Sequence, residues 1–566
     1  YTALQQHISM AGKAAAALGF SNEPITAPGI VTIPRPVPNM ASTETPYAFE
    51  RLTLDPQNNL CVDNAMHNLA DNEDELDIQK ICAHESYLTQ VDWTSAKSAD
   101  APLFYAAVNP ALFDAEIITV GSPPQDAWQM WMVPCAAVAQ MFQYWRGRMR
   151  YRFKFICSQY HRGRVQIFYD PAGNTPTVVS APSQTANMNV VVDISEQNEV
   201  VFDVPFVAQT PYLRTRDPVT TLFTTASSAT YVTDGAYDSG SIYMRVMNVL
   251  TGPVASNTVP ILVSVSLLDA EFAGPNDIPA FTHFTVQSKD VYTVQDEMVE
   301  NLGTKMTHPS ASWYMGERIK SLRQVLRRLM LSGTDMGMQA SWKDRTALFV
   351  KRMTKYPLPY GQASTGIYTA NKFGTVATSP CNFCLPTYLN WVMPWFVGVR
   401  GSVNWSFVVD GPSKPINMLR IYRQRKTSNQ VGLGLLYSTP SAPDWWTTPI
   451  TSGGQGGTNA NFVIKNTYGG AGGMTLTSQP TNWGLNATLP MYSNCKFVFT
   501  NPLYITSPIA FDNSNAEVFT FEAFLDSAID SDVKFNYFCG AGLDFKTVFF
   551  LNIPPYQRGP IFSPSN

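Results

Sequence analysis

The segment Met141–Pro171, MFQYWRGRMRYRFKFICSQYHRGRVQIFYDP, alternates basic and apolar side chains. From Arg148 onward, Arg148, Arg150, Arg152 and Lys154 hold one parity, while Met149, Tyr151, Phe153 and Phe155 hold the other. A period of two sets these groups on opposite faces of a β-strand, one wet and one buried. A break at Tyr160-His161-Arg162-Gly163 precedes a second run with Val165, Ile167 and Tyr169 on its inner side, closed by Asp170-Pro171. Two strands joined this way are expected to be antiparallel neighbours. Upstream, Val133–Phe142 has a proline near its first turn, which predicts a short helix ended by Gly147.

The rest of the chain follows from composition. A polypeptide of 566 residues exceeds what one hydrophobic core supports, so at least two domains are expected. Only 14% of residues are charged, 12% are aromatic, and 41 prolines and 35 glycines punctuate the chain, a balance that favours short strands joined by turns. So sparse a charge predicts a surface largely covered by partners. The net charge is −4 and no long block of like charge occurs, which excludes a cationic tail for gripping nucleic acid. Eight scattered cysteines show no disulfide framework and suit reduced thiols. No apolar run is long enough for a bilayer span and no signal peptide is evident. The first residue, Tyr1, suggests processing from a precursor or a trimmed chain.

Further strands are predicted at 188–192, 199–205, 241–250 and 259–269, enough with the opening segment for an eight-stranded sandwich over roughly residues 76–275. Residues 21–75 carry Pro24, Pro28, Pro34, Pro36, Pro38, Pro46 and Pro56, and are expected to form an extended arm. Asp71-Asn72-Glu73-Asp74-Glu75-Leu76-Asp77 leads from that arm into the entry strand. Residues 276–310 are polar and non-periodic, a linker. Trp313–Leu329 then predicts a helix with Ile319, Leu322, Val325, Leu326 and Leu329 on one face.

Helix, Trp145-Arg146-Gly147, basic-aromatic strand, turn and strand together resemble the jelly-roll capsid proteins of picornavirus-like RNA viruses, of the marnavirus-like or dicistrovirus-like kind. Other landmarks fall in the expected order. Leu18-Gly19-Phe20 followed by Ser21-Asn22-Glu23-Pro24 resembles the junction between a small internal capsid peptide and the next subunit. Gly316-Glu317 with Ile319, Ser321, Leu322 and Arg323 resembles the arm of the following subunit, and Val399-Arg400-Gly401-Ser402 repeats the Arg-Gly theme. Leu489–Phe497 and Gly542-Leu543-Asp544-Phe545 resemble that subunit's late strands.

The resemblance implies an all-β fold of two tandem eight-stranded antiparallel jelly-roll β-sandwiches with extended N-terminal arms. It divides the chain into the end of the internal peptide (1–20), an arm (21–75), a first jelly roll (76–287), the linker, helix and arm of a second subunit (288–375), and a second jelly roll with a tail (376–566). It further implies a structural, non-enzymatic protein of the virion, assembled in the host cytoplasm. The implied partners are other coat subunits including a third jelly roll, enclosed genomic RNA and a host receptor. The implied processing positions are Phe20-Ser21 and Gln287-Ser288, the latter a glutamine before a small residue; Gln295-Asp296 fits less well, and the two jelly rolls staying fused is the alternative. The internal peptide is membrane-active or simply a terminal helix. Some related insect viruses carry an Asp-Asp-Phe motif proposed to drive maturation cleavage. This chain has no Asp-Asp pair, and Leu543-Asp544-Phe545, the nearest match, makes Asp544 the candidate carboxylate.

A search for enzymatic chemistry is mostly negative. The six histidines, His7, His67, His84, His161, His283 and His308, show no metal-ligand spacing. Cys381-Asn382-Phe383-Cys384 is a lone pair of thiols, and the glycine-rich stretches at 453–457 and 469–473 lack the lysine of a phosphate loop. No metal or cofactor is expected. His161, in a basic turn, is a pH sensor or a satisfied turn histidine. Arg318, Arg323, Arg327 and Arg328 approach RNA phosphates, or pair with acids of adjacent subunits or with solvent. The reading from another class is a cellular carbohydrate- or receptor-binding β-sandwich, since jelly rolls also serve lectins.

Overall fold

The computed structural model describes residues 49–61, 74–278, 282–283 and 311–558, with interruptions at 56–57, 121–124, 174–187, 219–220, 226–232, 254–256, 339–346, 358–360, 363–367, 371–378, 383–384, 411–415, 425–433, 438–469, 478–483, 494, 501–517 and 526–532. The processing positions Phe20, Ser21, Gln287 and Ser288 lie outside them, as do Cys384 and the glycine-rich stretch at 453–457.

The arm contributes a short strand, β1 (Glu50–Arg51). The acidic run ends in a helix, not a strand: the Asp77 carboxylate accepts the Gln79 and Lys80 amides (2.8 and 3.3 Å) and so starts α1 (Ile78–Ala83). Then follow β2 (Ser86–Thr94), β3 (Pro102–Ala107), the hairpin β4 (Phe113–Val120) and β5 (Gln125–Met132), α2 (Pro134–Ala139), β6 (Phe142–Phe155), β7 (Arg162–Asp170), β8 (Asn189–Asp193), β9 (Glu199–Val204), β10 (Ser241–Thr251) and β11 (Thr258–Pro275). One sheet runs β2-β11-β6-β9 and the other β3-β10-β7-β8. Numbering the eight sandwich strands in chain order, excluding the hairpin, gives 1-8-3-6 facing 2-7-4-5, the interleaving of a jelly roll.

The alternation in β6 is realised: Met149, Tyr151, Phe153 and Phe155 are buried, with the arginines half-buried on the other face. Two expectations need correction. The helix stops at Ala139 and β6 already begins at Phe142, because Trp145 and Gly147 continue the buried parity. A Cβ on Gly147 would lie 2.8 Å from Leu267 Cδ1, so glycine marks a close strand approach and not a helix end. Second, β6 and β7 are not neighbours. The connection 156–161 crosses from one sheet to the other, a gap of about 10 Å, and β7 pairs with β10 and β8.

A short strand, β12 (Thr282–His283), follows the first sandwich. The expected helix over 313–329 is broken into pieces. Ala311–Met315 forms one π-helical turn, Gly316 takes a left-handed φ of 76°, and Ile319 bridges to Phe272. A new helix, α3 (Leu322–Leu326), starts at Ser321 through a capping box with Gln324. Its Leu322, Val325 and Leu326 are buried, as the apolar spacing predicts.

Next come β13 (Met330–Met338), β14 (Ala347–Thr354), α4 (Tyr388–Val392), β15 (Phe396–Arg400), β16 (Val403–Asp410), β17 (Ile416–Gln424), β18 (Met474–Thr477), β19 (Gly484–Leu489), β20 (Val518–Leu525), β21 (Val533–Ala541), β22 (Lys546–Phe550) and β23 (Tyr556–Arg558). The sheets β13-β21-β16-β19 and β14-β20-β17-β18 repeat the 1-8-3-6 and 2-7-4-5 interleaving. The second sandwich therefore begins at β13, inside the 288–375 stretch expected to be linker and arm. That stretch supplies its first two strands because β21 and β20 offer them edges to pair with.

Residues 37–566 form one unit, and a single apolar core runs through both sandwiches. Trp391 of α4 donates to the carbonyl of Ala137 in α2 (3.1 Å), and Tyr388 to that of Asn276 (2.8 Å). Flanking segments cross over. β1, which precedes the first sandwich, lies parallel to the β19 edge of the second, whereas β23, which follows the second, enters a sheet with β12, β5 and β4.

Candidate assembly surface and processing positions

Acids on neighbouring strands, and Glu85 just before β2, pair with the three arginines of the β6 row. Arg150 faces Asp203 across the β6–β9 ladder and binds it with two nitrogens, each at 2.7 Å. Arg152 reaches Glu85 at 2.7 Å and also contacts Glu199, and Arg148 meets Asp269 at 2.8 Å. Hydrogen bonding to Asp203 holds the Arg150 guanidinium above its ordinary pKa. For Arg152, burial pulls the value down, but Glu85 and Glu199 outweigh it and the net direction is up. With its arginines bound to acids in the same subunit, this face is poorly suited to phosphate recognition.

Two of the arginines around α3, Arg318 and Arg323, also meet acids. Arg318 lies 3.7 Å from Glu271, and Arg323 reaches Asp74 at 3.1 Å and the Phe545 carbonyl. Both acids come from residues before 287, on the other side of the expected subunit division from the arginines. Asp74 also accepts the Ser321 hydroxyl at 2.6 Å and the Leu76 amide at 3.2 Å. Burial pushes the Asp74 carboxyl up, but Arg323 and these hydrogen bonds together hold it below the usual range. Burial, reinforced by the charge of Arg323, lowers Arg327.

Asp544, the candidate carboxylate, is 7% exposed. One oxygen accepts the Ser402 amide at 2.9 Å and the Ser402 hydroxyl; the other accepts the Leu60 amide at 3.1 Å. Here Val399-Arg400-Gly401-Ser402 and Gly542-Leu543-Asp544-Phe545, both singled out in the sequence, come together. Gly401 has φ 103°, and a Cβ on it would sit 2.3 Å from the Asp544 carbonyl oxygen, so only glycine fits. Asp544 thus ties the arm, at Leu60, to the second sandwich.

His161 Nδ1 accepts the Ser158 amide (3.2 Å) and lies 2.9 Å from its hydroxyl, as a satisfied turn histidine does. His84 caps α1 and packs edge-on against Phe550 (5.3 Å), where burial lowers its pKa. Among the described residues no cluster of histidine, cysteine or acid suits a metal ion, and no helix is long and apolar enough to cross a membrane. Burial pushes the Cys135 and Cys539 thiols up to about 12, so neither is a nucleophile at neutral pH. A polar cavity of about 530 Å³ opens between β6 and the segment after β9, lined by Tyr144, Arg214, Arg216, Asp217 and Tyr237 among others. Arg216 there is already bound to Asp238 at 3.3 Å.

Sequence reasoning missed the contacts of Trp391, Trp395 and Tyr556. Trp391 stacks on Tyr556 (centroids 4.3 Å apart), whose hydroxyl accepts from Trp395 Nε1 at 3.0 Å. The concentration of tryptophan in the α4–β15 segment was the available signal.

Comparison with known proteins agrees with this architecture. Residues 106–233, from the end of β3 to the approach to β10, match the picornavirus capsid protein family. The structural polyprotein of Cricket paralysis virus is 25% identical over 321 residues, 47% of this chain and 34% of that protein. The genome polyprotein of Deformed wing virus is 27% identical over 143 residues, 25% of this chain and 5% of that one. The chain thus spans about a third or less of these relatives. Among solved structures, a marine algae virus of the order Picornavirales has a chain 25% identical, with TM-score 0.39, covering 45% of this chain and 95% of that one. A chain of black queen cell virus is 22% identical, with TM-score 0.38, covering 47% and 100%. Within its first sandwich the chain is thus similar to picornavirus capsid proteins over residues 106–233, and its second sandwich repeats the same strand interleaving.

Proposed function

We propose that this chain is structural coat protein of a non-enveloped positive-strand RNA virus, its two jelly rolls being consecutive subunits of an icosahedral shell. The observation that carries this is the repeated 1-8-3-6 and 2-7-4-5 interleaving, with flanking segments of each sandwich laid on the other. An isolated binding module has no need of such exchange, so the carbohydrate-binding alternative is not favoured. Burial of apolar surface between subunits drives assembly. The shell encloses the genome, mediates host attachment and is built in the host cytoplasm with a third jelly-roll subunit. The absence of a long basic block supports enclosure of RNA over gripping by a tail. Processing falls at Phe20-Ser21 and Gln287-Ser288, releasing an internal peptide that acts on membranes.

The test is co-expression with a third jelly-roll subunit followed by negative-stain microscopy and amino-terminal sequencing of the particle's subunits. Closed icosahedral particles with new termini at Ser21 and Ser288 are expected; discrete small oligomers alone would sink the proposal.

A further inference from the structure

After β22 the chain leaves its own sandwich and runs along the first. Phe550 packs on His84, and the Asn552 side-chain Nδ2 donates to the Ser86 hydroxyl at 3.3 Å. Pro554 is buried, and Tyr556 is 1% exposed between sandwiches. The Tyr556 ring stacks on Trp391 at 17°, and its hydroxyl accepts from Trp395 Nε1 (3.0 Å) while donating to the Trp391 carbonyl (3.3 Å). Burial raises its phenol far above the ordinary pKa, so the hydroxyl stays protonated and able to donate.

Beyond Tyr556 the backbone becomes an inner strand of a sheet not its own. In the 4-stranded sheet β12-β23-β5-β4, Tyr556 and Gln557 pair with Met130 and Gln129 on one side and with His283 and Thr282 on the other. Every other strand of that sheet comes from residues 113–132 or 282–283, before Gln287-Ser288. Bonded on both sides, β23 is held as a peptide is held in β-augmentation, with the aromatic clasp fixing its register.

We propose that the slot between β5 and β12 is a docking site for the carboxyl-terminal strand of the second jelly roll, and that this strand holds the two subunits together once the linker is cut. The occupant is residues 552–558 of this same chain. The inference rests on the reading of two subunits separated at the linker, and deepens it: a covalent linker makes the clasp intramolecular, and scission converts it into a subunit interface.

To test it, a site for a sequence-specific protease is inserted between Gln287 and Ser288 of the full chain, and the folded protein is cut and passed over a sizing column at falling concentration. The parent's two pieces are expected to elute together. Gln557→Pro cannot satisfy both neighbours of an inner strand, and it should weaken association at least tenfold. Tyr556→Phe keeps ring and ladder and loses only the phenol's two hydrogen bonds, for a weakening of about fivefold. Circular dichroism and elution of the uncut variants establish that they fold; should Gln557→Pro fail this check, Tyr556→Phe decides. Separation of the parent's pieces at micromolar concentration, or folded variants held as tightly as the parent, would overturn the proposal. Particle formation, read by microscopy, is a separate outcome that tests the coat-protein reading alone.

Discussion

Replacing Asp544 by alanine removes one carboxylate and strands three donors. The Ser402 amide and hydroxyl lie in a site with little water, Ser402 being 7% exposed, whereas Leu60 is half-buried and its amide can rehydrate. A buried donor left without a partner costs about 1–3 kcal/mol, and two such donors with partial relaxation amount to about 2–4 kcal/mol. For a sandwich of this size that corresponds to a fall in Tm of roughly 5–15 °C. Asp544→Asn recovers less than half of this, since its amide NH2 must face a donor on one side. Calorimetry reads the Tm, and hydrogen exchange followed by mass spectrometry reads the arm: amides at 58–61 should exchange faster, because the anchor at Leu60 is lost. A Tm within about 1 °C of the parent, together with unchanged exchange at 58–61, would refute the assignment of Asp544 as the arm's anchor.

Three further outcomes are expected. Gly401→Ala forces a Cβ to 2.3 Å from the Asp544 carbonyl oxygen at φ 103°, and should cost at least about 3 kcal/mol, read as a shift in the urea midpoint without a change in slope. Arg152→Met removes the cation between Glu85 and Glu199 on a half-buried face, and double-mutant cycles with Glu85→Gln should return a coupling of about 1–3 kcal/mol; a coupling near zero would show that solvent screens the pair. Because the Asp74 carboxyl is held below its ordinary value in the folded state, its stabilising contribution is complete above about pH 4 and disappears as pH falls through the depressed folded value. Acid titration should therefore narrow the stability gap between parent and Asp74→Asn, and a gap constant from pH 6 to 3 would contradict the pairing.

Much of the first sandwich was legible because β6 and its neighbours obey a local rule: one parity is buried, and the residues show it. The opening of the second sandwich was not. β13 reads Met-Leu-Ser-Gly-Thr-Asp-Met-Gly-Met, without β-branched alternation, and it is a strand because β21 offers an edge. The helix expected over 313–329 failed at Gly316 and Ser321, where a left-handed glycine and a capping serine interrupt a continuous apolar spacing. Candidate residues were found singly, and their roles depended on distant partners. Arg323 meets Asp74 across 249 positions, and Asp544 meets Leu60 across 484, separations that no periodicity reveals.

The crossed arms impose an order of events on synthesis. β1 pairs with Ala487 and Thr488, so it waits for more than four hundred further residues to be translated before its partner exists. At about 5–20 residues per second that wait is on the order of half a minute or longer. The first sandwich has all eight strands long before then, but its hairpin β4–β5 lacks β23 until residues 556–558 emerge. Until residues 556–558 are made, the nascent first sandwich carries an open sheet edge that favours early chaperone contact or pairing with another nascent chain.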